Sequence, residues 1–432
     1  MNTHDTDMPP ATEGPLSWPA QPRVKLGMSG AEPPLTETEQ AFQDMAHAFA
    51  RDVMRPVGEK LDRMTPEQII DPGSIYFTEF RPKYLALDIN PVTLSELPPE
   101  ELGKVLPIMM EEFGWGDGGL SVTIGACQLP PLMALMFGKP YLLERFPVDL
   151  IGCWAITEPD HGSDSLDPSK QIFHPEGKYG RPNCVARIEG DKVVINGQKS
   201  AWVSNGPIAQ VCVLYTAADT GSGADPEKGL VLLVPMDAPG ISRGKSIDKL
   251  GQRPLPQGEI YFDNVTLPLD HIVAGPEEFQ RAVYAVHCEA NVQMGAIFTG
   301  TARAAFEIAW EYAHQRKQGG VPIYRHQSVA QRLFHMYRKV EASRALVRRV
   351  AAFNFTAPMP ALQSAMSAKI TATQTSFEVA SDALQMLGGN GNTREYPIEK
   401  ILRDARASLI EDGCNEILSI KGGYQMMDPD LL

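Results

Sequence analysis

Apolar residues recur at helical spacing from Thr36 to Arg63 and again through Glu100–Phe113 and Leu129–Phe137. Thr36 followed by Glu39 has the spacing of a capping box and predicts where the first helix starts. Gly and Pro interrupt the helical stretches up to Phe146, so this block reads as all-α. The period changes near Leu150. Short runs rich in Val and Ile follow at Val185–Ile188, Val193–Ile195, Val211–Tyr215 and Leu230–Val234, and they predict strands. Gly190-Asp191 and Asn196-Gly197 supply turn chemistry between them, and residues 168–182 read as an exposed loop. The β block closes near Pro268. Helical spacing then returns in very long segments, Phe279–Gln318, His326–Phe355 and Pro360–Leu387, which must pack side by side as a four-helix bundle. An apolar stripe left over on such a bundle is a natural subunit interface.

These breaks predict a flexible Pro-rich lead over 1–35, an N-terminal α-helical domain over 36–148, a middle β domain (barrel or sandwich) over 149–272 and a C-terminal bundle over 273–432. The class is α+β, without the alternating βαβ units of a parallel sheet. The glycine cluster Gly388-Gly389-Asn390-Gly391 follows a helix rather than a strand. It therefore reads as a helix C-cap and not as a dinucleotide fingerprint.

Composition narrows the function. The chain has 432 residues, 43% of them apolar, enough for two or three cores. Its net charge of −14 argues against a nucleic-acid partner, which would need clustered Lys and Arg. No apolar run reaches the roughly 20 residues of a membrane span, and the start lacks the basic and apolar regions of a secretory signal, so a cytoplasmic protein is expected. Six scattered cysteines form no C-x-x-C pair, which disfavours a structural metal.

Four motifs carry candidate chemistry: Trp154–Asp164, Asn196–Gly206, Leu250–Arg253 with Ile260–Pro268, and a series from Arg316-Lys317 through His326-Gln327, Gln385–Gly391 and Arg403-Asp404 to Asp412–Asn415. Each has an ordinary reading alone. Glu158-Pro159 would be a turn, Trp202 a core residue on a strand, and Arg316-Lys317 two solvated cations at a helix C-terminus. In this order and at these separations, however, they resemble the acyl-CoA dehydrogenase family, from Thr36 to Gly422.

The resemblance implies bound FAD and an acyl-CoA substrate. Ile156 and Thr157 would hydrogen-bond the pyrimidine side of the flavin, Ser163 would lie toward the acyl-CoA or the pyrophosphate, and Trp202 and Ser204 would contact the ring. An arginine matching Arg316 neutralises the pyrophosphate of a neighbouring subunit's FAD, and Gln385 and Gly389 would approach the same cofactor. That shared site implies a homotetramer or homodimer, and electrons would leave through an electron-transfer flavoprotein. The third motif reads as structural.

Asp412 would be the base that removes a proton while the β-hydride goes to flavin N5, and Cys414 would replace a cofactor-side Thr. The family usually has Glu at the base position, one methylene longer, so the carboxylate falls about 1.5 Å short of the usual carbon. Adjacent Glu411 is a rival base in the aromatic position of the motif. Asn291 stands where many members have arginine. Asp412 and Asn291 together favour a cyclic or branched acyl group over a straight chain, as in members resembling cyclohexenecarboxyl-CoA dehydrogenases. Other departures are one additional residue between Lys199 and Trp202, and Gln318-Gly319 in place of Thr-Phe. A nitroalkane oxidase-like enzyme, which also uses aspartate, is the second reading; Ser419 stands where such oxidases have arginine. A flavin-free assembly subunit is the third.

Overall fold

The computed structural model describes residues 33–167, 180–428 and 430, so most of the lead at 1–35 and of the loop at 168–182 lies outside the described residues. The capping box forms: Thr36 N donates to Glu39 Oε2 at 3.0 Å and Glu39 N to Thr36 Oγ1 at 3.2 Å, opening helix Glu37–Phe49. That helix runs through a π-turn, Ala50–Met54, into Arg55–Asp62. A second π-turn, Tyr76–Phe80, also precedes an Arg-Pro pair, Arg81-Pro82. Proline has no N–H to return to the preceding turn, so the hydrogen-bond register can slip by one residue just before it.

Helix Gly118–Met136 starts well before the predicted Leu129. Gly118-Gly119 reads as a break in sequence, yet Asp117 caps the helix through Leu120 N at 2.8 Å. Among the described residues this is the one helix long and apolar enough to cross a membrane. It is 67% buried inside the fold, and its apolarity is that of a core helix.

The middle of the chain forms an eight-stranded sheet from β1 Gly152–Ala155, β2 Cys184–Glu189, β3 Lys192–Lys199, β4 Val211–Asp219, β5 Ala224–Pro235, β6 Ile241–Arg243, β7 Ile260–Pro268 and β8 Ile272–Ala274. The order is β6-β7-β3-β2-β4-β5-β8, with β1 parallel to β4. The three shortest strands, β1, β6 and β8, gave too little periodicity to predict. Asn196-Gly197 is a correction: it is not a turn but lies inside β3, where the register shifts and Gly197 takes φ +121°. A Cβ there would sit 1.9 Å from Asn183 O, so the sheet uses this Gly for a bulge. Strand β4 is buried on both faces. Cys212 and Leu214 enter a core within the β layer, while Val211, Val213 and Tyr215 pack toward helices Gly118–Met136 and Phe279–Gln315. The second packing brings the end of β1 against the long helix.

Helices Phe279–Gln315, Gln327–Thr356 and Leu362–Leu387, with the shorter Ile398–Ser408 and Asn415–Met427, make the C-terminal helical layer. Helix Pro99–Gly116 crosses the first of these at backbone contact. A Cβ on Gly114 would lie 1.8 Å from Ile297 O, and one on Gly300 1.9 Å from Glu111 O. Gly114→Ala is therefore expected to cost about 1–3 kcal/mol or more by overpacking, read as a lower thermal midpoint.

Candidate active site

The segment after Ile398–Ser408 must turn sharply to enter helix Asn415–Met427. Asp412 and Gly413 make that turn with φ of +52° and +87°. Asp tolerates the left-handed region better than most residues, and at Gly413 a Cβ would come within 2.8 Å of Leu418 Cδ2 and 2.9 Å of Leu166 Cδ1. Lys369 donates to Gly413 O and to Asn415 Oδ1, each at 2.9 Å, and Cys414 N donates to Ser163 Oγ at 3.3 Å. The turn is thus tied to helix Leu362–Leu387 and to the 3-10 turn Ser163–Leu166.

This turn lines a cleft of about 640 Å³. The same cleft is lined by Trp154, Ile156 and Thr157 at the end of β1 and by Trp202 and Ser204, while Val122 and His287 come from the two core helices. Buried Lys199 fixes the β1 end, donating to Ile156 O at 3.1 Å and to Glu158 Oε1 at 2.6 Å. Gln257 donates to Trp202 O at 3.2 Å and to Ser204 Oγ at 3.3 Å. The Trp202 indole is 59% exposed, a flat apolar surface open to the cleft.

Burial pushes the Asp412 carboxyl up to about 6, against the pull of the Lys369 charge. Glu411 rises to about 7 through burial and the neighbouring Asp412 charge, and Gln252 Nε2 donates to its Oε1. Burial lowers Lys369 to about 8 and Lys249 to about 7. A carboxylate at Asp412 is accordingly held where it can both take and release a proton near neutral pH.

Asp412, Ile156, Thr157, Ser163, Trp202 and Ser204 therefore share one cleft, and Cys414 stands beside it through its bond to Ser163. Arg316, Gln385 and Gly389 do not join them. They line a separate groove of about 740 Å³ with Tyr312, Arg332 and Asn390. Gly388 caps its helix at φ +60°, as the C-cap reading expects, and a Cβ on Gly388 or Gly389 would meet open space. The third motif requires a correction. Although read as structural, it contributes Leu250, Gly251 and Gln252 to the cleft, with Lys249 immediately before it. Lys369 and His287 were not anticipated either; both lie mid-helix, with no local motif to mark them.

Among known proteins, the acyl-CoA dehydrogenase middle-domain model matches residues 153–265 and the C-terminal-domain model residues 289–423. Benzylmalonyl-CoA dehydrogenase of Aromatoleum aromaticum is 33% identical over 405 residues, covering 89% of this chain and 97% of the relative. The chain belongs to the acyl-CoA dehydrogenase family. Cyclohex-1-ene-1-carbonyl-CoA dehydrogenase of Geobacter metallireducens is 28% identical, covering 91% and 99% of the two chains. The butyryl-CoA dehydrogenase structure from Megasphaera elsdenii superposes with a TM-score of 0.78 at 24% identity over 92% of this chain and all of its own, an agreement of fold. As an acyl-CoA dehydrogenase the protein is a flavin-linked oxidoreductase acting on the CH–CH bond of an acyl-CoA, and the oxidase reading is not favoured.

Proposed function

We propose that the chain is an FAD enzyme in which Asp412 removes a proton from a cyclic or branched acyl-CoA, yielding an unsaturated thioester. The observation that carries this is the position of Asp412 in one cleft with Ile156, Thr157, Trp202 and Ser204, with burial raising its carboxyl. The residues present fit a flavin. The cleft offers an exposed indole and the β1 end, and the second groove offers Arg316 with open glycine backbone suited to a diphosphate. A bound flavin would supply the hydride acceptor. The two sets of residues line different cavities, which supports a cofactor shared between two copies of the chain in a dimer or tetramer. An electron-transfer flavoprotein is the proposed acceptor.

Within this reading Lys199 orients the β1 end, and Lys369 fixes the turn while its charge favours the ionised form of Asp412. Gln252 holds Glu411, the rival carboxylate, within the segment beside the cleft. The short aspartate, the neutral Asn291 in place of arginine, and two relatives whose names carry ring-bearing acyl groups support a cyclic or branched substrate. The test is an anaerobic titration of the purified yellow protein with straight-chain, cyclohexanoyl and cyclohexenoyl thioesters. Bleaching by a ring thioester in preference to straight chains is expected; bleaching by nitroethane alone would overturn the proposal.

The acid limb of activity follows from the base. With Asp412 at about 6 in the free enzyme, kcat/KM is expected to be level above that pH and to fall tenfold per unit below it, as the carboxylate takes up a proton. A profile flat down to pH 4.5 would exclude Asp412 as the titrating group.

A further inference from the structure

Beside the cleft, the chain buries polar atoms that it does not satisfy. His287 is 3% exposed and lines the cleft, yet neither of its ring nitrogens has a hydrogen-bond partner among the described residues. Trp154 lines the same cleft with its ring centroid 5.6 Å from that of His287, and its Nε1 is also buried and unpartnered. One helical turn beyond, Asn291 is fully buried. Its Nδ2 donates to His287 O at 2.8 Å, and its Oδ1 is left without a partner. An unsatisfied buried polar group costs about 1–3 kcal/mol, so the unpaired ring nitrogens of His287 and Trp154, two residues that line one cleft, point to a ligand that satisfies them.

We infer that His287, with Trp154 beside it, is a specificity-determining residue that hydrogen-bonds an uncharged oxygen substituent, keto or hydroxyl, on the acyl group. This rests on the acyl-CoA reading of the cleft. Trp154 offers only a donor, and a neutral imidazole offers one donor and one acceptor, a set matched to the lone pairs of a carbonyl or to a hydroxyl. Burial, reinforced by the charge of Lys421, lowers His287 to about 3 and keeps the ring neutral. A neutral ring brings no positive charge of its own, so it pairs with an uncharged oxygen rather than with a carboxylate. A site built to hydrogen-bond an oxygen also rejects the hydrocarbon analogue, because the binding groups are then left unpaired.

The test compares keto-acyl-CoA thioesters, with the carbonyl at successive positions, against methyl-branched isosteres and against glutaryl- and adipoyl-CoA. The readout is the anaerobic rate of flavin bleaching in wild type, His287→Leu and His287→Gln. Wild type is expected to prefer one keto compound over its isostere. His287→Leu should lose about tenfold or more of that ratio while retaining bound flavin, and His287→Gln, which keeps a donor and an acceptor, should restore part of it. Should the Leu variant fail to fold, His287→Phe replaces it at similar volume. A keto preference unchanged without His287, or a His287-dependent preference for the dicarboxyl thioesters, would overturn the inference while leaving the acyl-CoA reading intact. Bleaching by no thioester at all would overturn that reading and this inference with it.

Discussion

Asp412→Asn is expected to retain its yellow flavin and to lose substrate-dependent bleaching by about 10²–10⁴-fold, the usual contribution of a positioned general base. The loss should appear in the chemical step and not in assembly. Asn preserves the size of the side chain and, like Asp, tolerates the left-handed backbone at φ +52°. The bonds that hold the turn, from Lys369 to Gly413 O and Asn415 Oδ1 and from Cys414 N to Ser163, do not involve the carboxylate. Single-turnover bleaching at constant flavin content is the measurement. Retained turnover would move the base to Glu411, whose carboxyl lies next to it and is also raised, to about 7. Glu411→Gln beside Asp412→Asn separates the two.

The second large effect is on stability, at residues that do not line the cleft. Arg303, buried in helix Phe279–Gln315, donates to Glu111 Oε1 at 2.7 Å and Glu112 Oε1 at 3.0 Å, and also contacts Glu112 Oε2. Arg344 shares Glu111 at 2.8 Å, and His47 Nδ1 lies 2.9 Å from Glu112. Burial alone would raise Glu111, but Arg344, Arg303 and Arg348 hold it down at about 2. Arg303→Met leaves a similar volume but strands carboxylates inside the protein, at an expected cost of about 3–5 kcal/mol in chemical denaturation. The sign with pH is fixed. Because its folded value is depressed, Glu111 contributes stability above its ordinary 4.5 and loses it as pH falls toward about 2. In the variant the carboxylates protonate more readily, so its deficit relative to wild type should shrink on acidification from pH 7. A deficit constant with pH would assign the loss to packing instead.

The long helical period after Pro276 located the bundle, and the β-branched runs located the strands, because both patterns record which face each element buries. The family motifs were legible for a different reason: each is a contiguous segment whose residues act together, as Trp154–Asp164 and Asp412–Asn415 do. Elements too short to show a period, such as β1 and β8, left no such trace. Asn196-Gly197 misled because the same glycine freedom serves a turn or a bulge, and only the neighbouring strands choose between them.

The sequence by itself determined the α+β order, the cap at Thr36, the helix end at Gly388 and the identity of Asp412 as the acidic residue of its motif. Tertiary structure alone decided what surrounds Asp412. Lys249, Gln252, Lys369 and His287 come from a loop and two helices distant in sequence, and their charges and unpaired atoms matter only once burial removes water from around them. It also decided that Arg316, Gln385 and Gly389 line a different groove from Thr157 and Trp202, since the order of motifs along a chain does not specify which surfaces of the folded molecule they share.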